Sequence, residues 1–176
     1  TITIYMYYGN PSITSISSGL NVFEFFDDFD SLKSEWKEYG AIGTFANSIY
    51  TEPKGPSVWT YGIKSMNRSF ARPFILEFRT NNVDDNTFWG AGDITDAIHY
   101  NNIVYGFYSA SGTAYVFEDG ANRGTVPYGA GLNTWCTQRL VVKATGAIYY
   151  IKRVGDSDFL TQYTSAYSTE SPLTLV

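Results

Sequence analysis

The sequence is poor in the side chains that build disulfides, zinc sites and hydrolytic triads. Cys136 is the one cysteine and His99 the one histidine, so an intrachain disulfide cannot form. A Cys/His zinc set and a Ser-His-Asp triad with a second candidate base are excluded for the same reason. Cys136 lies in an apolar run, where a buried and inert thiol is expected.

Charged residues are also scarce, at 16% of the chain, and acidic ones prevail, giving a formal net charge of −5. Binding to nucleic acid needs Lys and Arg clustered on one face, where they neutralise phosphates. The sequence shows no such cluster, so we predict that nucleic acid is not a partner. It also has no run of about 18 apolar residues, which predicts that no helix spans a membrane.

Aromatic residues are abundant instead, since Tyr, Phe and Trp make up 18% of the chain. Such side chains favour the half-buried, pleated surface of a β-sheet. Short alternating runs follow one another from residue 21 onward, separated by turns rich in Gly, Asn, Asp and Pro, at a spacing of roughly 8 to 12 residues. This pattern is typical of sandwiches and jelly rolls. The sequence therefore predicts an all-β fold, a two-sheet antiparallel β-sandwich of the jelly-roll kind.

The individual strands can be placed from the alternation of apolar and polar residues. We predict strands at residues 22–26, 45–50, 58–63, 74–79, 87–91, 103–109, 114–118, 135–143, 147–154 and 160–164. The clearest is 74–79, with Phe74, Leu76 and Phe78 on one face. One short helix is predicted at 31–39, where Ser31 is placed to cap it.

The chain divides into residues 1–20, a strand and its linker, and residues 21–176, the sandwich domain. Residues 1–8 alternate with apolar or aromatic side chains on both faces, and the connector that follows is rich in Gly, Ser and Pro. A strand of this composition is not stable alone in water, so residues 1–8 are expected to pair with a sheet edge. Pairing with an edge of the same sandwich would complete the fold, whereas pairing with an edge of a neighbouring subunit would produce self-association.

Several segments carry a resemblance to a known superfamily. Phe-Asp-Asp-Phe-Asp-Ser at 26–31 followed by Trp36, then 74–79, then 135–142 leading into 148–151, resembles the concanavalin A-like lectin/glucanase superfamily. Residues 4–11, Ile-Tyr-Met-Tyr-Tyr-Gly-Asn-Pro, resemble the closing strand of an uncharacterised domain that often precedes such modules in archaeal and bacterial surface proteins. The resemblance implies a sandwich over about residues 22–170 and an extracellular or cell-surface location. It does not define a ligand, because the superfamily includes lectins, glycanases, adhesion modules and coat proteins.

The carboxylates do not form a glycanase pattern. Retaining glycanases need two carboxylates about 5 Å apart, which alternate positions of one strand can supply. The run from Glu24 to Asp28 comes nearest, but Glu24 and Asp27 fall on opposite faces of a strand and no Glu follows, while Glu77 is followed by Arg79 rather than by a second acid. We therefore predict that the protein is not an enzyme.

Aspartates at the end of the first predicted sandwich strand point to a cation. Calcium prefers several carboxylate and carbonyl oxygens, which loops supply, and such sites recur in the resembling superfamily. We predict a structural calcium site formed by Asp27, Asp28, Asp30 and Asp158. The alternative is that Asp28 caps the following turn and its neighbours are solvated. Asn67-Arg68-Ser69 is an acceptor sequence for N-glycosylation at Asn67.

The aromatic surplus in the middle of the chain is the informative feature for binding. Aromatic rings stack on the apolar faces of sugars while Asn and Asp bond the hydroxyl groups. The predicted ligand-binding residues are Trp89, Asp93, Asp96, His99, Tyr100 and Asn102. The alternative is that most of these rings belong to the core.

Two functions of different classes remain open. The first is a non-catalytic, lectin-like module of a secreted or cell-surface protein, with a glycan or cell-surface polysaccharide as partner. The second is a structural subunit of an extracellular filament or coat, assembled by exchange of the N-terminal strand.

Overall fold

The fold is described from a computed structural model of the chain. It describes residues 19–41, 43–52, 61–65, 67–81, 87–93, 95, 98–110, 113–126, 134–168 and 172–176. The predicted strand at 1–8 and most of its linker lie outside these residues, as do Asp96 and the first part of the predicted strand at 58–63. Pairing of residues 1–8, within the chain or with a neighbour, therefore stays a prediction.

The described residues are mostly strand. The strands are β1 (Trp36–Tyr39), β2 (Thr44–Ala46), β3 (Ile49–Thr51), β4 (Gly62–Ser65), β5 (Phe74–Asn81), β6 (Thr87–Gly92), β7 (Ile103–Ala110), β8 (Thr113–Glu118), β9 (Ala121–Thr125), β10 (Trp135–Val142), β11 (Ala147–Arg153), β12 (Leu160–Ser165) and β13 (Thr174–Leu175). The helical elements are a short α-helix, α1 (Gly19–Val22), and a 3₁₀ turn at Tyr100–Asn102. In this part of the chain, no helix is long and apolar enough to cross a membrane.

Two larger sheets make up the body of the fold. One has four strands in the order β12-β11-β10-β5, and the other has five in the order β13-β6-β7-β8-β9. All neighbouring strands in both sheets are antiparallel. Two ribbons, β1-β4 and β2-β3, accompany them. The predicted all-β antiparallel sandwich is confirmed.

The core lies between the two sheets and is rich in aromatic rings. Phe107 of β7 packs against Tyr149 of β11, with ring centroids 5.3 Å apart, and against Phe78 of β5, at 6.2 Å. The alternation predicted for 74–79 holds, because Phe78 packs against the core while Ile75 is 66% exposed. Cys136 is buried as expected, and burial raises the pKa of its thiol.

Tertiary pairing overrides two local signals near the start of the described chain. Residues 22–26 were predicted as strand, but α1 ends at Val22 and the chain bends after it. The predicted helix at 31–39 is also wrong, since its last four residues form β1, where Trp36 pairs with Ser65 of β4. Pairing along a whole strand outweighs the weak preference that a single capping serine provides.

Turn geometry accounts for the other differences. The strand predicted at 45–50 is a hairpin, because Asn47 and Ser48 both have positive φ, 54° and 59°, and form the two-residue loop between β2 and β3. Asp119 and Gly120, with φ of 50° and 71°, form the turn between β8 and β9. The strand after it, β9, was not predicted because its residues are mostly polar and exposed.

Candidate functional site

A group of polar side chains lies where β6 ends and the chain returns toward β7. Asp93 follows β6 directly, and its backbone N–H donates to the Asn102 carbonyl at 2.9 Å, which closes the loop. Its carboxylate accepts from the Thr95 hydroxyl at 2.5 Å and the Thr95 backbone N–H at 3.1 Å. Asn102 Nδ2 donates to Asp93 Oδ2 at 3.1 Å. We call Asp93, Thr95, Asn102 and the neighbouring Lys64 the corner cluster.

Lys64 reaches the corner cluster from β4 and is buried, with 1% of its side chain exposed. Its Nζ donates to the Thr95 carbonyl at 2.9 Å and lies 3.4 Å from Asp93 Oδ1. A buried ammonium group is tolerated only when it is paired and hydrogen-bonded. Burial of Asp93 would raise its pKa, but the hydrogen bonds from Thr95 and the Lys64 charge outweigh burial and lower the pKa below its usual value. The Asp93 carboxylate is therefore ionised at neutral pH.

The last residues described hold the two sides of the corner cluster together. Leu173 pairs with Phe70, and β13 pairs with β6. The Thr174 hydroxyl donates to the Asp93 carbonyl at 2.8 Å, while the Leu175 backbone N–H donates to Ser65 Oγ at 2.8 Å. Residues 173–175 thus contact both the strand that carries Lys64 and the loop that carries Asp93.

Two aromatic rings lie next to the corner cluster. His99 caps the 3₁₀ turn, and its Nδ1 accepts from the Asn101 backbone N–H at 3.2 Å. The His99 and Tyr100 ring centroids are 4.3 Å apart, and both side chains are half-buried. Tyr100 packs edge-on against Phe117 at 6.3 Å. The side chains that could contact a ligand at this corner are therefore a carboxylate, an amide and two rings.

The ring contacts continue across the outer face of the five-stranded sheet. Phe88 and Tyr108 are cross-strand partners whose rings stack at 4.4 Å, and Phe88 also contacts Phe117 at 4.8 Å. Phe88, Tyr108 and Phe117 are each next to a core residue in their own strand. Because successive side chains of a strand point to opposite faces, these three rings point away from the core. This outer aromatic row meets the corner cluster at Tyr100.

The structure brings together four of the six predicted ligand-binding residues: Asp93, His99, Tyr100 and Asn102. Trp89 is different, since it belongs to the core and is 8% exposed. A ring buried between the sheets cannot stack on a sugar, so we remove Trp89 from the set. Asp96 lies outside the described residues.

Sequence reasoning missed Lys64 and Thr95. Thr95 had a signal, because Asp-x-Thr directly after a strand is a spacing at which side chains commonly bond the local backbone. No signal in the local sequence connects Lys64 with its partner, because 29 residues separate it from Asp93. Lys64 lies in the short strand Gly-Ile-Lys-Ser, whose sequence does not indicate which acceptor the lysine meets.

Two of the aspartates predicted to hold calcium, Asp27 and Asp28, accept hydrogen bonds from groups of the protein itself. The Asp27 side chain is 2% exposed, and Oδ1 accepts from the Phe29 backbone N–H at 2.7 Å and from Lys33 Nζ at 2.9 Å. Asp27 Oδ2 accepts from Trp36 Nε1 at 2.5 Å. Lys33 also contacts Asp28 at 3.1 Å, and these bonds to both carboxylates raise its pKa although burial alone would lower it. Lys33 therefore supplies positive charge at the position that we assigned to an ion.

The structure does not group the four predicted calcium ligands around one point. Among the described residues, no group of three or more His, Cys, Asp or Glu side chains is placed to hold a metal ion. Asp30 accepts from the Ser48 hydroxyl at 2.6 Å, and Asp158 is exposed between β11 and β12. We do not carry calcium into the proposed function.

Removal of metal ions tests this interpretation. We expect a chelator to leave the melting temperature unchanged, whereas Lys33→Met lowers the free energy of unfolding by about 1 kcal/mol, because Asp27 loses its oppositely charged partner. Lys143→Met, which removes an exposed lysine elsewhere, is the matched control. A calcium-dependent rise in melting temperature that Asp28→Asn abolishes would instead establish the metal site.

Asn67 lies at the surface, as the predicted glycosylation requires. Its side chain is exposed, and Nδ2, the atom to which a glycan would be attached, donates to the Ser34 carbonyl at 2.8 Å. Attachment would change that hydrogen bond. Glycosylation of Asn67 stays a prediction.

Comparison with known proteins gives one match. A family model described as a domain of unknown function, DUF2341, matches residues 1–39. This supports the resemblance of the N-terminal segment to the tail of an uncharacterised domain. The match continues past residue 20, where we placed the domain boundary, and reaches the end of β1, so it includes Asp27 and Trp36. No curated protein and no solved structure matches the chain.

Proposed function

We propose that the chain is a non-catalytic carbohydrate-binding module of a secreted or cell-surface protein. The observation that carries this proposal is the corner cluster beside Tyr100, where a fixed carboxylate and amide adjoin two half-buried rings. Sugars present hydroxyl groups to such polar atoms and apolar faces to such rings. The resemblance to the concanavalin A-like superfamily is compatible with the proposal.

The hydrogen bonds of Asp93 leave capacity for a ligand on one oxygen. Asp93 Oδ1 accepts from Thr95 and Asn102 and faces Lys64, whereas Oδ2 accepts from Asn102 and from no other group among the described residues. A carboxylate oxygen can accept two hydrogen bonds, and 34% of the Asp93 side chain is exposed. Oδ2 can therefore accept a bond from a sugar hydroxyl while Oδ1 holds the side chain in place.

Rigidity of the corner cluster favours binding. A side chain that is already held by hydrogen bonds loses little conformational entropy when a ligand binds. Lys64 fixes Asp93 from the buried side, and Thr95 and Asn102 fix it within the loop. Lys64 is thus a positioning residue, since its buried ammonium group does not reach a ligand at the surface.

The same geometry argues for binding without hydrolysis. Glycoside hydrolysis uses one carboxyl group as a proton donor and a second as nucleophile or base. Among the described residues, Asp93 is the only carboxylate of the corner cluster. Its lowered pKa makes it a poor proton donor at neutral pH. We therefore infer a binding site rather than an active site.

A glycan array followed by titration calorimetry tests the proposal. We expect Tyr100→Ala to weaken binding of a retained glycan about tenfold, because the ring loses its contact with the sugar face. Tyr100→Phe keeps the ring and is expected to bind like the original chain. Tyr150→Ala is the matched control, because Tyr150 is half-buried on β11 of the other sheet.

Two results would contradict the proposal. One is a folded chain that retains no glycan on the array. The other is equal weakening of glycan binding by Tyr100→Ala and Tyr150→Ala, which would place the bound glycan somewhere other than the corner cluster.

A further inference from the structure

A second concave site lies at one end of the four-stranded sheet, away from the corner cluster. It is a pocket of about 260 Å³, and its lining includes Arg79, Thr137, Lys152, Arg153 and Asp156. Three cations and one carboxylate therefore line it, in a chain whose formal net charge is −5. A local excess of positive charge on an acidic protein indicates an anionic ligand.

Strand register explains why two of these cations, Arg79 and Lys152, lie close together. Thr137 of β10 pairs with Arg79 of β5 on one side and with Lys152 of β11 on the other. The three residues thus form a transverse row, in which Arg79 and Lys152 are separated by two strand spacings, about 10 Å. Both side chains are long enough to reach a group that lies over Thr137, so the row holds two positive charges and a hydroxyl donor on one face.

Aromatic and backbone groups hold both cations, with no acidic partner for either among the described residues. The Arg79 guanidinium lies over the Trp135 ring, 4.9 Å from its centroid. Lys152 Nζ donates to the Ser157 carbonyl at 3.0 Å, which uses one of its three donors. Asp156 also lines the pocket, where its Oδ2 accepts from the Arg153 backbone N–H at 2.7 Å.

The adjacent row of the same sheet shows the opposite arrangement. Arg139 of β10 pairs with Glu77 of β5 in register, and its guanidinium contacts the Glu77 carboxylate at 2.7 Å and 2.8 Å. One row is therefore neutral and the next carries two charges. An arginine that has its own carboxylate has less charge to offer a ligand, so the row of Arg79, Thr137 and Lys152 is the one suited to an anion.

We propose that this pocket binds the acidic group of a carbohydrate, a carboxylate or a sulfate ester, with Arg79 and Lys152 as its charged contacts and Thr137 as a hydrogen-bond donor. Arginine recognises such planar or tetrahedral anions through paired N–H groups. The volume suits one sugar unit rather than a polymer segment. The choice of a sugar as the carrier rests on the proposed function, whereas the anion site does not, because it lies on the other sheet.

Nucleic acid is a poor fit to the same charges. Phosphate backbones are bound by several cations that follow the strand, and here the charges converge on one small pocket of an acidic chain. We therefore expect polyadenylate RNA not to bind this pocket.

Titration of the chain with polygalacturonate, dextran sulfate and neutral dextran tests the inference, with binding followed by calorimetry at low salt. We expect at least one of the two acidic polymers to bind, neutral dextran not to bind, and Arg79→Gln and Lys152→Gln each to weaken binding about tenfold. Lys143→Gln is the control, because it removes the same charge from an exposed site next to β10. The melting temperature of each variant shows whether it is folded.

The outcomes separate this site from the corner cluster. Tyr100→Ala should keep its affinity for the acidic polymer, so failure of the proposed function leaves this test intact. Carboxylate and sulfate are distinguished by which polymer binds. Absence of binding to both acidic polymers, equal weakening by Lys143→Gln, or equally tight binding of polyadenylate would each overturn the inference.

Discussion

Tyr149→Phe is expected to lower the free energy of unfolding by about 1–3 kcal/mol. The Tyr149 hydroxyl on β11 donates to Glu118 Oε1 on β8 at 2.9 Å, and both residues are almost completely buried. The bond joins the two sheets through the core, and its loss leaves a buried carboxylate without that donor. Arg123 is 3.7 Å from the other Glu118 oxygen and cannot replace a bond made inside the core. Urea denaturation with an unchanged m-value measures the loss.

The neighbouring tyrosine and the pH dependence provide the controls. Tyr150→Phe, on the outer face of the same strand, should change the free energy of unfolding by less than about 0.5 kcal/mol. Burial and the Glu118 charge raise the pKa of Tyr149 well above its usual value. The folded chain therefore keeps this proton above about pH 10, where the unfolded chain loses it, and stability falls as pH rises. Equal alkaline sensitivity of Tyr149→Phe and the original chain would contradict this interpretation.

Asp93→Ala is expected to be more destabilising, by about 3–5 kcal/mol, because it removes the carboxylate that faces the buried Lys64 ammonium group. Lys64→Met should have a much smaller effect, since it replaces the buried charge with an apolar side chain of similar length. The double variant should therefore be more stable than Asp93→Ala alone. Thermal unfolding of the three variants measures the comparison. If Lys64→Met is as destabilising as Asp93→Ala, the buried charge is not the reason for the effect.

Strand alternation allowed much of the sandwich to be predicted, because it reports directly which face of a strand is buried. Residues 74–79 show this, with Phe74, Leu76 and Phe78 packed against the core. It failed where backbone geometry or distant pairing decides the structure. Asn47 and Ser48 adopt positive φ in a run that is otherwise compatible with one strand, and residues 36–39 become strand only because β4 lies beside them.

The candidate site was predictable only in part, for a related reason. Asp93, His99, Tyr100 and Asn102 lie within ten residues of one another, so their clustering is visible in the sequence. Trp89 is nearby too, but strand register rather than proximity decides that it faces the core. Lys64, and the transverse row of Arg79, Thr137 and Lys152, depend on which strands become neighbours. Those contacts are a property of the topology, which local patterns do not specify.

The contacts made by residues 173–175 have a consequence for the order in which the protein is made. A ribosome synthesises β4, Asp93 and Asn102 long before these residues, yet Thr174 bonds the Asp93 backbone and Leu175 bonds Ser65 beside Lys64. During translation the corner cluster therefore lacks the strand that connects its two sides. The last strand of the four-stranded sheet ends at Ser165, so all strands of the anion pocket are synthesised before the strand that ties the corner cluster together.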